Sequence, residues 1–134
     1  MATIYRSAEL TVPADVAWRF LDRYTRSEVH VFANCVSERQ VDDFRVVVTA
    51  DGMELWEQNI TVDSERRRAV YTVPGIPGVE HHQAEMRIDV DAGGAATLVW
   101  ITDLLPHELA DTLSPVYDTL FADLLSAVEA SGDG

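Results

Sequence analysis

His82 and Asp103 are the residues of this sequence whose types could move a proton together. A carboxylate beside an imidazole fixes which ring nitrogen carries the proton and leaves the other to act on a substrate as acid or base. Strand arithmetic suggests the pairing. Residues 80–90 alternate, with Ala84, Met86, Ile88 and Val90 on one face and Gln83, Glu85, Arg87 and Asp89 on the other, so parity sends His82 inward and His81 outward. A two-residue Gly93-Gly94 turn then puts Val99, Ile101 and Asp103 on the inner face of the next strand, with Asp103 diagonal to His82. In a plainer reading, His82 hydrogen-bonds a bound molecule or a structural partner and transfers no proton. Adjacent strand residues point to opposite faces, so His81 and His82 cannot chelate one metal ion. No phosphate-cradling glycine loop, nucleophile elbow or paired metal-ligand spacing occurs elsewhere, and neither metal nor cofactor is expected.

A second set of residues suits the wall of a hollow: Trp56, Gln58, Tyr71, His82, Met86, Tyr117 and Phe121. A three-residue loop of Ala50, Asp51 and left-handed Gly52 places Phe44, Val46 and Val48 on one face with Trp56, Gln58, Ile60 and Val62. That choice gathers apolar residues, turns Trp56 and Gln58 inward and leaves Glu57, Asn59 and Thr61 in water. If sheet and helix stand apart, these side chains enclose a cavity with Gln58, Tyr71 and His82 as its polar groups; if they touch, they are core. The loop Gly75-Ile76-Pro77-Gly78 reads either as an entrance flap or as a simple tight turn.

The elements that must position these residues are mostly strands. Residues 3–12 set Ile4, Ala8, Leu10 and Val12 against Tyr5, Ser7, Glu9 and Thr11, which predicts a strand with one wet face. Pro13 ends it and opens a helix, where its missing amide costs nothing and Asp15 meets the positive helix end. Val16, Ala17, Phe20, Leu21 and Tyr24 recur at helical spacing, and a second short helix is expected over residues 25–30. Residues 31–103 read as six meandering strands with turn signals at Asp42-Asp43, Asp51-Gly52, 64–67, 75–78 and Gly93-Gly94. Beyond Pro106, apolar residues from Leu109 to Val128 follow helical spacing, so a long helix must lie on a large apolar surface. Pro115 either kinks that helix or restarts it with Ser114 as cap. Residues 1–130 are expected to form one domain and residues 131–134 a disordered tail.

Composition excludes several function classes. With 134 residues, 47% of them hydrophobic, the chain suits one core. A net charge of -13 repels phosphate backbones and anionic lipid surfaces, so neither nucleic acid nor membrane is an expected partner. No apolar run is long enough to span a bilayer and the first residues lack a signal pattern, which points to the cytoplasm. The single cysteine, Cys35, allows no internal disulfide and reads as an inert thiol. All ten basic residues are arginines, as in a GC-rich bacterial genome.

The order of strand, helices, six strands and long closing helix resembles the START-like, or SRPBCC, superfamily that includes the birch pollen allergen. The resemblance spans nearly the whole chain and rests on VPADVAWRFLDRY, RRRAVYTV, HHQAEMRIDV and TLVWITDLLPHELADTL, the last similar to the bacterial polyketide cyclase and dehydrase branch. His30 stands where many relatives carry a tryptophan. The resemblance implies an α+β helix-grip fold: a curved seven-stranded antiparallel sheet with two short helices, closed by a long C-terminal helix around a cavity used by relatives for lipids, sterols, hormones or polyketide intermediates. It brings no agreed catalytic set. Three functions follow as expectations: binding or carriage of a small hydrophobic molecule; a cyclase or dehydratase using His82 and Asp103; or a filled interaction domain. A homodimer through sheet edges is a further expectation.

Overall fold

The computed structural model describes residues 2–133. Its element order is β1 (Ala2–Glu9), α1 (Ala14–Thr25), β2 (Cys35–Val41), β3 (Phe44–Thr49), β4 (Glu54–Asp63), β5 (Arg68–Thr72), β6 (His81–Val90), β7 (Ala96–Leu105) and α2 (Glu108–Ala130). The strands form one antiparallel sheet in the order β1-β7-β6-β5-β4-β3-β2, a meander whose last strand is joined by the first. α2 crosses the concave face and buries Phe121, Leu124 and Val128, giving the helix-grip architecture. Arg6 on β1 fastens α2, with Nε donating to Asp118 at 2.9 Å and an Nη to the Ser114 hydroxyl at 2.7 Å. Pro115 lies inside α2, which runs on through it rather than restarting at Ser114. No helix among the described residues is long and apolar enough to cross a membrane.

α1 starts at Ala14 with Pro13 as its cap and Asp15 in its first turn. It buries Ala17, Leu21 and Tyr24 as its helical spacing predicts, together with Trp18, while Val16 and Phe20 of the expected stripe are only half-buried. The second short helix expected over residues 25–30 does not form. Arg26 and Ser27 amides close α1 onto Arg23 and Tyr24, and Ser27 then takes the left-handed conformation, φ 59°, which turns the chain away. Ser131–Asp133, where a disordered tail was expected, form a 3-10 turn whose Gly132 lies against Val12; Gly134 falls outside the described residues.

Two registers decide which side chains face α2. Between β3 and β4 the three-residue loop forms as expected, with Gly52 at φ 87° and Phe44 and Val46 opposite Gln58 and Trp56. That shared face is the convex one, however. Arg45, Val47, Leu55 and Glu57 turn inward, while Trp56 is 36% exposed and meets Phe44 edge-on at 5.5 Å. The run Val46-Val47-Val48 is apolar on both faces, so alternation alone could not choose between them.

The β6–β7 register is one residue away from the expected one. Asp91 N–H donates to the Ala95 carbonyl, the Asp91 carboxylate accepts the Gly93 and Ala95 amides, and Gly94 sits at φ 88°, so three residues rather than two form the loop. A one-residue slip reverses every side chain. His82 therefore lies opposite Leu104, Ala84 opposite Thr102 and Met86 opposite Trp100, while Asp103 faces Gln83.

Candidate functional site

The sheet and α2 are filled unevenly. At the end of β6 and β7 nearest their hairpin, Met86, Ile88 and Leu98 pack with Trp18, Leu21, Leu124 and Val128 into solid core. Toward the other end the walls stand apart around a cavity of about 270 Å³. Five aromatic rings line it: Tyr24, Phe32, Tyr71, Trp100 and Tyr117. Leu113 and Leu120 of α2 cover it, and half-buried Ile76 and Val79 from the β5–β6 loop and exposed Met53 from the β3–β4 loop stand at its margin.

His82 enters this space from β6 and is 8% exposed. Its Nδ1 accepts the Val73 amide at 3.2 Å, which requires a neutral ring with the proton on Nε2. Burial lowers its pKa from 6.5 to about 4, with a smaller push from His81, so the imidazole is neutral at physiological pH. The Tyr71 ring stands 5.9 Å from the imidazole. Burial raises the Tyr71 phenol well above its usual pKa, and it remains a neutral hydroxyl. Trp100 Nε1 is buried and has no hydrogen-bond partner among the described residues. Phe32 stacks on Trp100 at 5.8 Å, and Tyr117 lies tilted against it at 5.2 Å.

The cavity floor carries buried charge. Arg45 lies directly opposite Glu57 on β4, with Nε 3.2 Å from the carboxylate, and 3.7 Å from Glu38 on β2 through an Nη. Its guanidinium sits 4.0 Å above the Tyr24 ring, whose hydroxyl donates to the same Glu57 oxygen at 3.4 Å. Burial opposes the charge of Arg45, but Tyr24, Glu57 and Glu38 more than offset that effect and hold it protonated. Burial pushes Glu57 upward despite Arg45, and pushes the Tyr24 phenol well upward. Glu57 and Tyr24 face the cavity; Arg45 and Glu38 lie behind them.

Of the residues expected to line a hollow, Tyr71, His82 and Tyr117 do so. Met86 and Phe121 belong to the packed core, and Trp56 and Gln58 lie on the convex face, where Gln58 reaches Asp43. Asp103 also lies on that outer face and accepts the Thr3 hydroxyl at 2.6 Å. The His82–Asp103 pair is therefore not assembled, because the longer loop turned Asp103 away. Glu57 and Asn59, expected in water, point inward; Asn59 donates to the Thr25 carbonyl at 2.8 Å, tying β4 to the end of α1. His30 is exposed and contacts Glu38 at 3.3 Å, while Phe32, two residues on, supplies the aromatic ring at that end.

The sequence reading missed Glu57, Arg45, Tyr24, Trp100 and Phe32. One signal was present. Once the three-residue loop is accepted, Arg45 and Glu57 fall directly across from each other, and an opposite-charge pair flanked by apolar Val47 and Leu55 marks an inward face as well as an outward one.

No protein-family model matches the chain, and no curated protein matches it in sequence. Solved structures do match. They include the protein XoxI of Bacillus cereus, at TM-score 0.80 and 15% identity over 98% of this chain and 96% of that one. A Thermobifida fusca protein follows at TM-score 0.75 and 27% identity, over 99% and 95%. The Zhui aromatase/cyclase of a Streptomyces species matches at TM-score 0.73 and 18% identity, over 98% and 93%. The fold of this chain is the fold of those proteins, from one end to the other.

Proposed function

We propose that this protein binds a small, largely apolar molecule between its sheet and α2, as a binding or carrier member of the SRPBCC superfamily. The observation that carries the reading is an aromatic hollow of about 270 Å³ containing a neutral histidine with one nitrogen committed to the backbone and the other left for a guest. Interiors otherwise close to crystalline density, so a hollow of this size beside a well-packed core calls for an occupant. Its size bounds that occupant. A cavity of ~150 Å³ accommodates benzene, and drug-sized ligands occupy ~300–1,000 Å³. The fit is a one- or two-ring compound or a short aliphatic chain, lipid-like or polyketide-like in character; a sterol would protrude.

A cyclase or dehydratase is the second reading, favoured by the likeness to an aromatase/cyclase. It must do without Asp103, since that carboxylate lies outside. His82 alone, neutral and with a depressed pKa, is a weak base and a donor that orients.

Tryptophan fluorescence tests the binding reading, because Trp100 is part of the wall. Titration with neutral one- and two-ring aromatics and medium-chain alcohols is expected to give a saturable change, lost in Leu120→Trp, which fills the space. A flat response to every compound, with unchanged thermal stability, contradicts it.

A further inference from the structure

The polar groups of the cavity restrict its ligand further. At one end His82 offers a fixed Nε2–H and, with Nδ1 held by Val73, no acceptor. At the other, Glu57 presents a carboxylate whose Oε1 is taken by Arg45 and Tyr24. Continued past Tyr71, the β4–β5 and β5–β6 registers set Val73 between the two, beside Glu57 on β4 and beside His82 on β6, so the two backbones stand two strand spacings apart, about 10 Å. The separation is therefore of the order of a ring or two.

The charge balance is as informative. Arg45 faces two carboxylates, is roofed by the Tyr24 ring and does not itself line the cavity. Among the described residues that line the cavity, no cation is left over for an anionic guest. A ligand carboxylate would sit desolvated beside neutral donors and near a second carboxylate, which is the costly arrangement for a buried charge.

Building on the ligand-binding reading above, we infer that the ligand is an uncharged molecule with a hydrogen-bond acceptor for His82 and a hydrogen-bond donor for Glu57, and that the cavity rejects the carboxylate of the same skeleton. A carbonyl or ether oxygen satisfies the first position and a hydroxyl the second. Free fatty acids and aromatic acids are excluded by charge even where their size fits.

Matched probes test this by calorimetry at neutral pH: a hydroxylated acetonaphthone, the hydroxynaphthoate of the same skeleton, and the hydroxylated ethylnaphthalene that lacks the acceptor. The ketone is expected to bind at least about tenfold more tightly than the carboxylate, the scale set by an unpaired buried charge. His82→Phe is expected to abolish the preference for ketone over the ethyl compound. His82→Gln, which keeps a donor and can still accept the Val73 amide, retains it. Equal or tighter binding of the carboxylate overturns the inference while leaving the binding reading intact. Retention of the ketone preference in His82→Phe overturns the assignment of the acceptor position. Failure of all three probes, together with a flat response to the neutral panel above, removes both the binding reading and this inference.

Discussion

Arg45 is the residue on which the cavity floor depends. Its side chain is 1% exposed, and the two carboxylates beside it are 6% and 15% exposed, so each charge is tolerable only because the others are present. Among the described residues, two Arg45 nitrogens and Glu38 Oε1 find no hydrogen-bond partner, which makes the cluster a poor source of stability and a sensitive point for mutation. Arg45→Met is expected to cost ~3–5 kcal/mol in urea unfolding by leaving two carboxylates buried without a cation. The triple change Arg45→Met, Glu57→Leu and Glu38→Leu should recover most of that loss. A single substitution costing less than the triple one would contradict the account. His82 sets a pH window of its own. Its pKa is lower in the folded chain, about 4 against 6.5, so between these values the unfolded chain takes up a proton that the folded chain refuses. Stability therefore falls as pH drops from 6.5 to 4, by up to ~3 kcal/mol from this residue. Glu57, raised by burial, acts in the opposite sense and adds stability as it protonates. His82→Gln should flatten the acid loss in denaturation curves across that window, and an unchanged slope would show that His82 is not buried neutral.

The hairpins decide where chemistry lies. Both the β3–β4 and β6–β7 connections are three-residue loops with a left-handed glycine last, Gly52 and Gly94. The Asp51-Gly52 pattern revealed the first. The Gly93-Gly94 doublet equally fits a two-residue turn, and only the Asp91 side chain, capping Gly93 and Ala95, settles the count. Hydrophobic alternation could not arbitrate, because Val99 and Ile101 on the outer face are as apolar as Leu98 and Trp100 on the inner one, and Val99 is itself 1% exposed. The meander from β2 to β7, α1 and α2 were legible because their turn signals and spacing are plain, whereas nothing in the spacing places β1 beside β7. The candidate site was half legible: His82 followed from parity and Tyr117 from helical spacing, Tyr71 was named for its residue type with no register to place it, and Glu57 and Trp100 depended on which face of a doubly apolar strand turns inward. Two substitutions test the hairpin. Gly94→Ala should destabilise by ~1 kcal/mol or more, since its conformation suits only glycine without strain. Asp103→Asn should leave ligand affinity unchanged, because Asp103 meets Thr3 on the far side of the sheet. A loss of affinity in Asp103→Asn would favour the shorter turn and the inward carboxylate.

At the scale of the whole molecule, one sheet serves two purposes. Its hairpin end, with α1 and the last turns of α2, is packed solid and fixes the curvature; the other end stands open around aromatic walls. The expected consequence is a trade between stability and binding. Filling the hollow with Val47→Phe should raise the melting temperature by a few degrees while abolishing ligand binding, since buried apolar area grows and the space disappears. The most direct test of the central claim is native mass spectrometry of the protein, as purified and after incubation with neutral aromatic compounds, followed by unfolding and identification of what is released. The account predicts a discrete mass increment from an uncharged compound of one or two rings, absent in Val47→Phe. A clean mass of the bare chain under every condition would contradict it and leave the aromatic space as an imperfectly packed core.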